Sequence, residues 1–125
     1  IKADSVLIFY FSNRENETTT GMSCCYFLAD QYARIELAEK LVILYKKLDK
    51  EDSKNFRKAQ QAWQAFYDSE WEFLKNAFVS YSNFRKYDLG REVMIETQSR
   101  KYLMVKARVL MVNNYIKTID GDAPN

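Results

Sequence analysis

The chain has 125 residues, 47% of them apolar and 29% charged, and a net charge of +2, so it is long enough for one self-sufficient core and too nearly neutral to require a polyanion such as nucleic acid. It contains no histidine, which excludes Ser-His and Cys-His nucleophile pairs and the histidine ligands of zinc hydrolases and di-iron bundles. Three isolated glycines and one proline exclude a phosphate-cradling loop or dinucleotide fingerprint and favour long uninterrupted helices.

Residues Ser5 to Ser12, rich in Val, Ile, Phe and Tyr, fit either a short strand or an apolar arm packed on helices. The run from Val6 to Phe11 is too short for a membrane span, and it lacks the basic flank and small-residue cleavage site of an intact signal peptide. Asn13 to Thr20 is polar and aperiodic, and reads as a loop ending in a threonine N-cap. A first helix is predicted from about Gly21 to Leu48. Leu28, Ile35, Ala38, Val42 and Tyr45 form one apolar stripe on it, and Leu37, Leu41, Leu44 and Leu48 form a second. Together they predict contacts on two sides. Cys24 and Cys25 are adjacent, and helical neighbours point about 100° apart, so they are expected to be partly buried thiols without a disulfide or metal role.

The charged segment Asp49–Ser53 predicts a tight turn and an antiparallel hairpin. The second helix, from about Ser53 to Val79, carries both tryptophans, with Ala59, Trp63, Tyr67, Trp71, Leu74 and Phe78 on one face. It is expected to be the most buried helix, with Trp63 as its anchor against Leu41 or Tyr45. The predicted core therefore includes Leu41, Tyr45, Trp63, Tyr67 and Trp71. An ordered loop is expected from Ser80 to Gly90, then a third helix from about Leu89 to Ile119, ended by Gly121 and Pro124. That helix has apolar residues around more than half its circumference between Tyr102 and Ile116 and should be largely buried. The expected fold is all-α: an antiparallel bundle of three long helices with an N-terminal arm or short fourth element. One domain is expected over residues 1–125, with an arm and loop to residue 20, a helical core over 21–119 and a tail over 120–125.

Paired carboxylates are the remaining catalytic option. Asp68 and Glu72 share a helix face, as do Glu92 and Glu96, and two carboxylates across a cleft can hydrolyse a glycoside. Such spacing is commoner on solvated helix surfaces, so the chain is read as a non-enzyme with no catalytic, metal or cofactor residues. Basic residues near the first hairpin (Lys46, Lys47, Lys50, Lys54, Arg57 and Lys58) are offset by Asp49, Glu51 and Asp52. Two groups suit a protein partner. One is Asp68, Glu70 and Glu72; the other is Phe84, Arg85 and Tyr87, with Lys86 and Arg91 beside them.

The run Ala59-Gln60-Gln61-Ala62-Trp63, followed by Phe66, Asp68 and Glu70, resembles the signature helix of the LprI-type lysozyme-inhibitor domain, roughly A-Q-x-A-W-x-x-Y-R-D-A-E-C. Leu41, Tyr45 and Leu48 fit the family's preceding helix, and Lys106-Ala107-Arg108 with Leu110 fits a later one, so the likeness spans about Tyr32 to Ile116. Tyr67 stands where the family has arginine, and Trp71 where it has a disulfide-forming cysteine. Ala38 and Val42 replace polar residues, and Ser99 lies near the second expected cysteine. The resemblance implies a helical bacterial protein, periplasmic or secreted, that occludes a wall hydrolase without chemistry of its own. Alternatives are an immunity-type protein neutralising a secreted toxin and a structural module that self-associates through its aromatic surface. A basic lysozyme would favour an acidic contact surface, which a chain at +2 must supply locally.

Overall fold

The computed structural model describes the backbone of residues 19–80 and 90–121 and the side chains of residues 25–77 and 95–121. The arm over Ser5–Ser12, the Cys24 side chain and the Tyr81–Tyr87 segment lie outside the described residues. Helix α1 spans Thr19–Lys47, α2 spans Lys50–Leu74 and continues as π-helical turns over Lys75–Ser80, and α3 spans Gly90–Ile119. Asp49 is extended, and its Oδ1 accepts from the Asp52 backbone N–H at 2.8 Å. This cap satisfies an orphan donor and starts α2 three residues before the predicted Ser53, with Glu51 and Asp52 favourably placed at the positive end of the helix dipole. At the other end of the chain Gly121 adopts φ +82 and donates to the Thr118 carbonyl at 3.1 Å, closing α3 with a left-handed residue that glycine tolerates best.

Consecutive helices run antiparallel, so α1 and α3 run parallel to one another. Tyr26 meets Tyr102, Lys101 reaches Asp30, Glu36 pairs with Lys106 at 3.5 Å, and Lys47 pairs with Asp120 at 2.7 Å. This parallel pair is the most closely packed among the described helices. Its α1 side presents Cys25, Ala29, Ala33, Leu37 and Leu44, all buried. Its α3 side presents Tyr102, Val105, Val109, Val112 and Ile116 at alternating steps of three and four, the seam spacing of a heptad. Alanine and valine opposite one another let the two backbones approach.

Helix α2 sits further out. Only Tyr67 and Leu74 among its residues are buried, while Trp63 and Phe56 pack half-buried against the core edge. The expectation that α2 is the most buried helix is thereby corrected: the small residues that seal α1 to α3 leave α2 as an outer layer fitted with large rings. Two further expectations are corrected for the same reason. The stripe of Ile35, Ala38 and Val42 on α1 faces solvent, and Leu103 and Leu110 on α3 are more than half exposed. No helix among the described residues is long and apolar enough to cross a membrane.

Neighbouring positions on α1 test this assignment. Leu44 is 1% exposed and Val42 54% exposed. Leu44→Ala should cost about 2–5 kcal/mol, the range for emptying a buried leucine site. Val42→Ala should change stability by no more than about 0.5 kcal/mol. Chemical denaturation of the two variants measures both; equal effects would mean that α1 is rotated.

Candidate partner-binding faces

A buried acid organises the contact between α2 and the α1–α3 pair. Asp30 is fully buried, and its Oδ2 lies 3.1 Å from Arg34 Nε and 3.7 Å from Lys101 Nζ. Each cation in turn meets a ring of α2. The Arg34 guanidinium sits 4.8 Å from the centre of the Tyr67 ring, and its Nη2 donates to the Tyr67 hydroxyl. Lys101 Nζ lies 4.4 Å from the Trp71 ring centre. One carboxylate therefore holds two cations that tie α2 in place, a geometry in which charge and ring quadrupole act together. A second cross-link lies further along the bundle, where buried Arg108 donates from Nε to Gln60 Oε1 at 3.0 Å and faces the Phe56 ring.

Between α1 and α2 a cleft of about 180 Å3 opens beside these contacts, lined by Arg34, Leu37, Leu41, Gln60, Trp63 and Tyr67, among others. Trp63 stacks on Tyr67 with ring centres 5.4 Å apart. Tyr45 and Phe56 meet edge to face at 5.4 Å. Of the residues expected in the core, Tyr67 is buried, while Leu41, Tyr45, Trp63 and Trp71 are half-buried. Their fit is between α2 and its neighbours rather than at the centre of the molecule.

The three carboxylates singled out from the sequence do not form one cluster. Two residues along a helix is a rotation of about 200°, so Asp68 and Glu72 share one flank of α2 and Glu70 lies on the other. Asp68 is exposed and accepts from Gln64 Nε2 at 3.0 Å; Glu72 is exposed and pairs with Lys75 at 2.8 Å. Glu70 lines a separate groove between α2 and α3 with Phe66, Leu74, Arg100, Leu103 and Met104. Phe84, Arg85 and Tyr87 lie outside the described residues. Among the described residues no group of three or more Cys, Asp or Glu side chains could hold a metal ion. Sequence periodicity missed Asp30, because an acid between Ala29 and Gln31 looks like any solvated helix position. Its hint is a lone charge beside Ala29 and Ala33.

Burial pushes the Tyr67 phenol up, reinforced by the Asp30 charge and opposed by Arg34, to about 12 from an ordinary 10.0. Below pH 10 both folded and unfolded chains keep the proton and nothing is lost. Between pH 10 and about 12 the unfolded chain ionises first, so this part of the stability falls as pH rises. Tyr67→Phe should remove that alkaline loss in pH-dependent unfolding. Asp30→Asn should bring the phenol down, as followed by phenolate absorbance against the Tyr67→Phe background. A Tyr67 that ionises with the exposed tyrosines would contradict the buried placement.

The residues that carry the family likeness now have positions. Gln60, in the signature helix, bonds Arg108, in the later motif, and Trp63 supports Tyr67, so the two motifs meet in space as one cross-link. Comparison with curated proteins and with solved structures finds no match. A family model described as lysozyme inhibitor LprI matches residues 12–109, a range that includes most of all three helices. By that match, over most of its length, the chain belongs to the LprI lysozyme-inhibitor family.

Proposed function

We propose that this protein is a non-enzymatic inhibitor that acts in the periplasm or outside the cell by covering a lysozyme-type wall hydrolase, and that it binds through the α1/α2 face. The family match over residues 12–109 carries this reading. The face supports it physically. Ile35 and Val42 offer exposed apolar contact area one heptad apart on α1, beside the cleft walled by Leu41, Trp63 and Tyr67. Asp68 adds negative charge along the adjoining flank of α2, with Glu72 beside it in an exposed pair with Lys75. A rim of this sign steers a basic enzyme during encounter, and the apolar strip then sets how long the complex lasts. Asp68 and Glu72 lie side by side on one exposed flank of α2 rather than across a cleft, so the chain is better equipped to obstruct a glycan-binding groove than to process glycan itself.

The test is hydrolysis of cell-wall substrate by a basic lysozyme with and without the protein, paired with binding kinetics. Asp68→Lys with Glu72→Lys should slow association at least about tenfold and reverse its salt dependence. Ile35→Asp or Val42→Asp should mainly speed dissociation. No inhibition by the unmodified protein of any wall hydrolase tried would overturn the reading; inhibition untouched by all these variants would move the contact to another face.

A further inference from the structure

The groove between α2 and α3 is a different surface from the proposed inhibitory face, and it has an unusual pattern. Phe66 and Phe73 lie one heptad apart on α2, Leu103 and Leu110 one heptad apart on α3, and all four are more than half exposed. Exposed side chains of this size amount together to on the order of 400 Å2 of apolar surface. Phe66 and Leu103 line one groove of about 330 Å3 together with Ala107, whose small side chain leaves room for a packed neighbour. The groove carries one charge of each sign. Glu70 on the α2 wall and Arg100 on the α3 wall both line it. The α2–α3 register, given by Gln60 with Arg108 and Trp71 with Lys101, puts Glu70 and Arg100 at the same level. Arg100 donates from Nε to Glu96 at 2.8 Å in an exposed pair within its own helix, and the rest of its guanidinium fork is left for another acceptor. Glu70 has no hydrogen-bond or ion-pair partner among the described residues.

We propose that this groove is the interface for a second copy of the same chain, related by a two-fold axis parallel to the helices. Such an axis lays α2 of one copy against α3 of the other. Phe66 then meets the partner's Leu103, and Glu70 meets the partner's Arg100, each contact occurring twice. The result is an antiparallel four-helix arrangement of α2, α3 and their copies, with left-handed heptad packing and no new backbone geometry. Self-complementarity is what selects a second copy over a foreign enzyme. A groove carrying an acid on one wall and a base on the other at equal height offers a strongly basic partner no net attraction, whereas it pairs fully with its own image. The proposal does not rest on the inhibitor reading, because Asp68 and Glu72 occupy the opposite flank of α2 and stay exposed in the dimer.

Sedimentation equilibrium of the full chain from about 1 to 100 μM, a span that brackets a micromolar Kd, is the test. The expected result is a mass that rises from monomer to dimer with concentration. Leu103→Glu should weaken the dimer at least about tenfold without changing helix content or melting of the monomer. Glu70→Arg alone and Arg100→Glu alone should each weaken it, and the two together should restore it to within about threefold of the original, a residual below 1 kcal/mol. A chain that stays monomeric at the highest concentration overturns the proposal. So does a dimer indifferent to Leu103→Glu, or single charge reversals that the double reversal does not rescue. A monomer whose Leu103→Glu variant loses hydrolase binding also overturns it, and assigns the groove to the enzyme.

Discussion

The close seam between α1 and α3 determines how the rest of the molecule is arranged. Ala29 and Ala33 are fully buried, and they face a heptad row whose centre is Val105, Val109 and Val112. Alanines on one wall and β-branched side chains on the other allow the two helices to approach closely. The two helices are parallel and not adjacent in sequence, so α2 must run back between their ends along the outside. A connector placed in this way can bury one narrow face only. Its rings therefore mark the joint between layers, and its two flanks are left to solvent.

Besides buried Leu74, what keeps α2 on the pair is polar and aromatic. Asp30 is a buried charge, which would be costly alone, and Arg34 and Lys101 compensate it. Those cations are also the contacts for Tyr67 and Trp71, so the acid on α1 indirectly orients two rings of α2. Tyr67 stands where the family pattern has arginine, and Trp71 where it has cysteine. In this chain both positions receive a cation from the neighbouring helices. Arg108, bonded to Gln60 and facing the Phe56 ring, makes a second cross-link further along without a carboxylate, and it joins the two motifs on which the family likeness rests.

Much of this was legible in the sequence, and what was not has a physical cause. Three long helices and the glycine stop at Gly121 follow from periodicity and composition, and the row from Tyr102 to Ile116 has the correct seam spacing. Periodicity does not say which of two apolar stripes turns inward. Ile35 and Val42 are more hydrophobic than Ala29 and Ala33, yet the alanines are buried, because close helix approach rewards smallness as well as hydrophobicity. The same competition misleads for Trp63, whose size suggested a central position and which is half-buried at the layer boundary. The division of Asp68 and Glu72 from Glu70 was readable from the helical rotation between them. That Glu70 shares a groove with Arg100, from a helix thirty residues later, required the tertiary register.

The outward position of α2 is the claim on which both proposed surfaces depend. Native-state amide hydrogen exchange tests it most directly, because local opening free energies follow burial and packing. Exchange is expected to be slowest in the α1 segment from Ala29 to Leu44 and the α3 segment from Tyr102 to Ile116. On α2 protection should be lower overall, with a local maximum around Tyr67. Protection along the whole of α2 equal to that of α1, with α3 opening first, would contradict it.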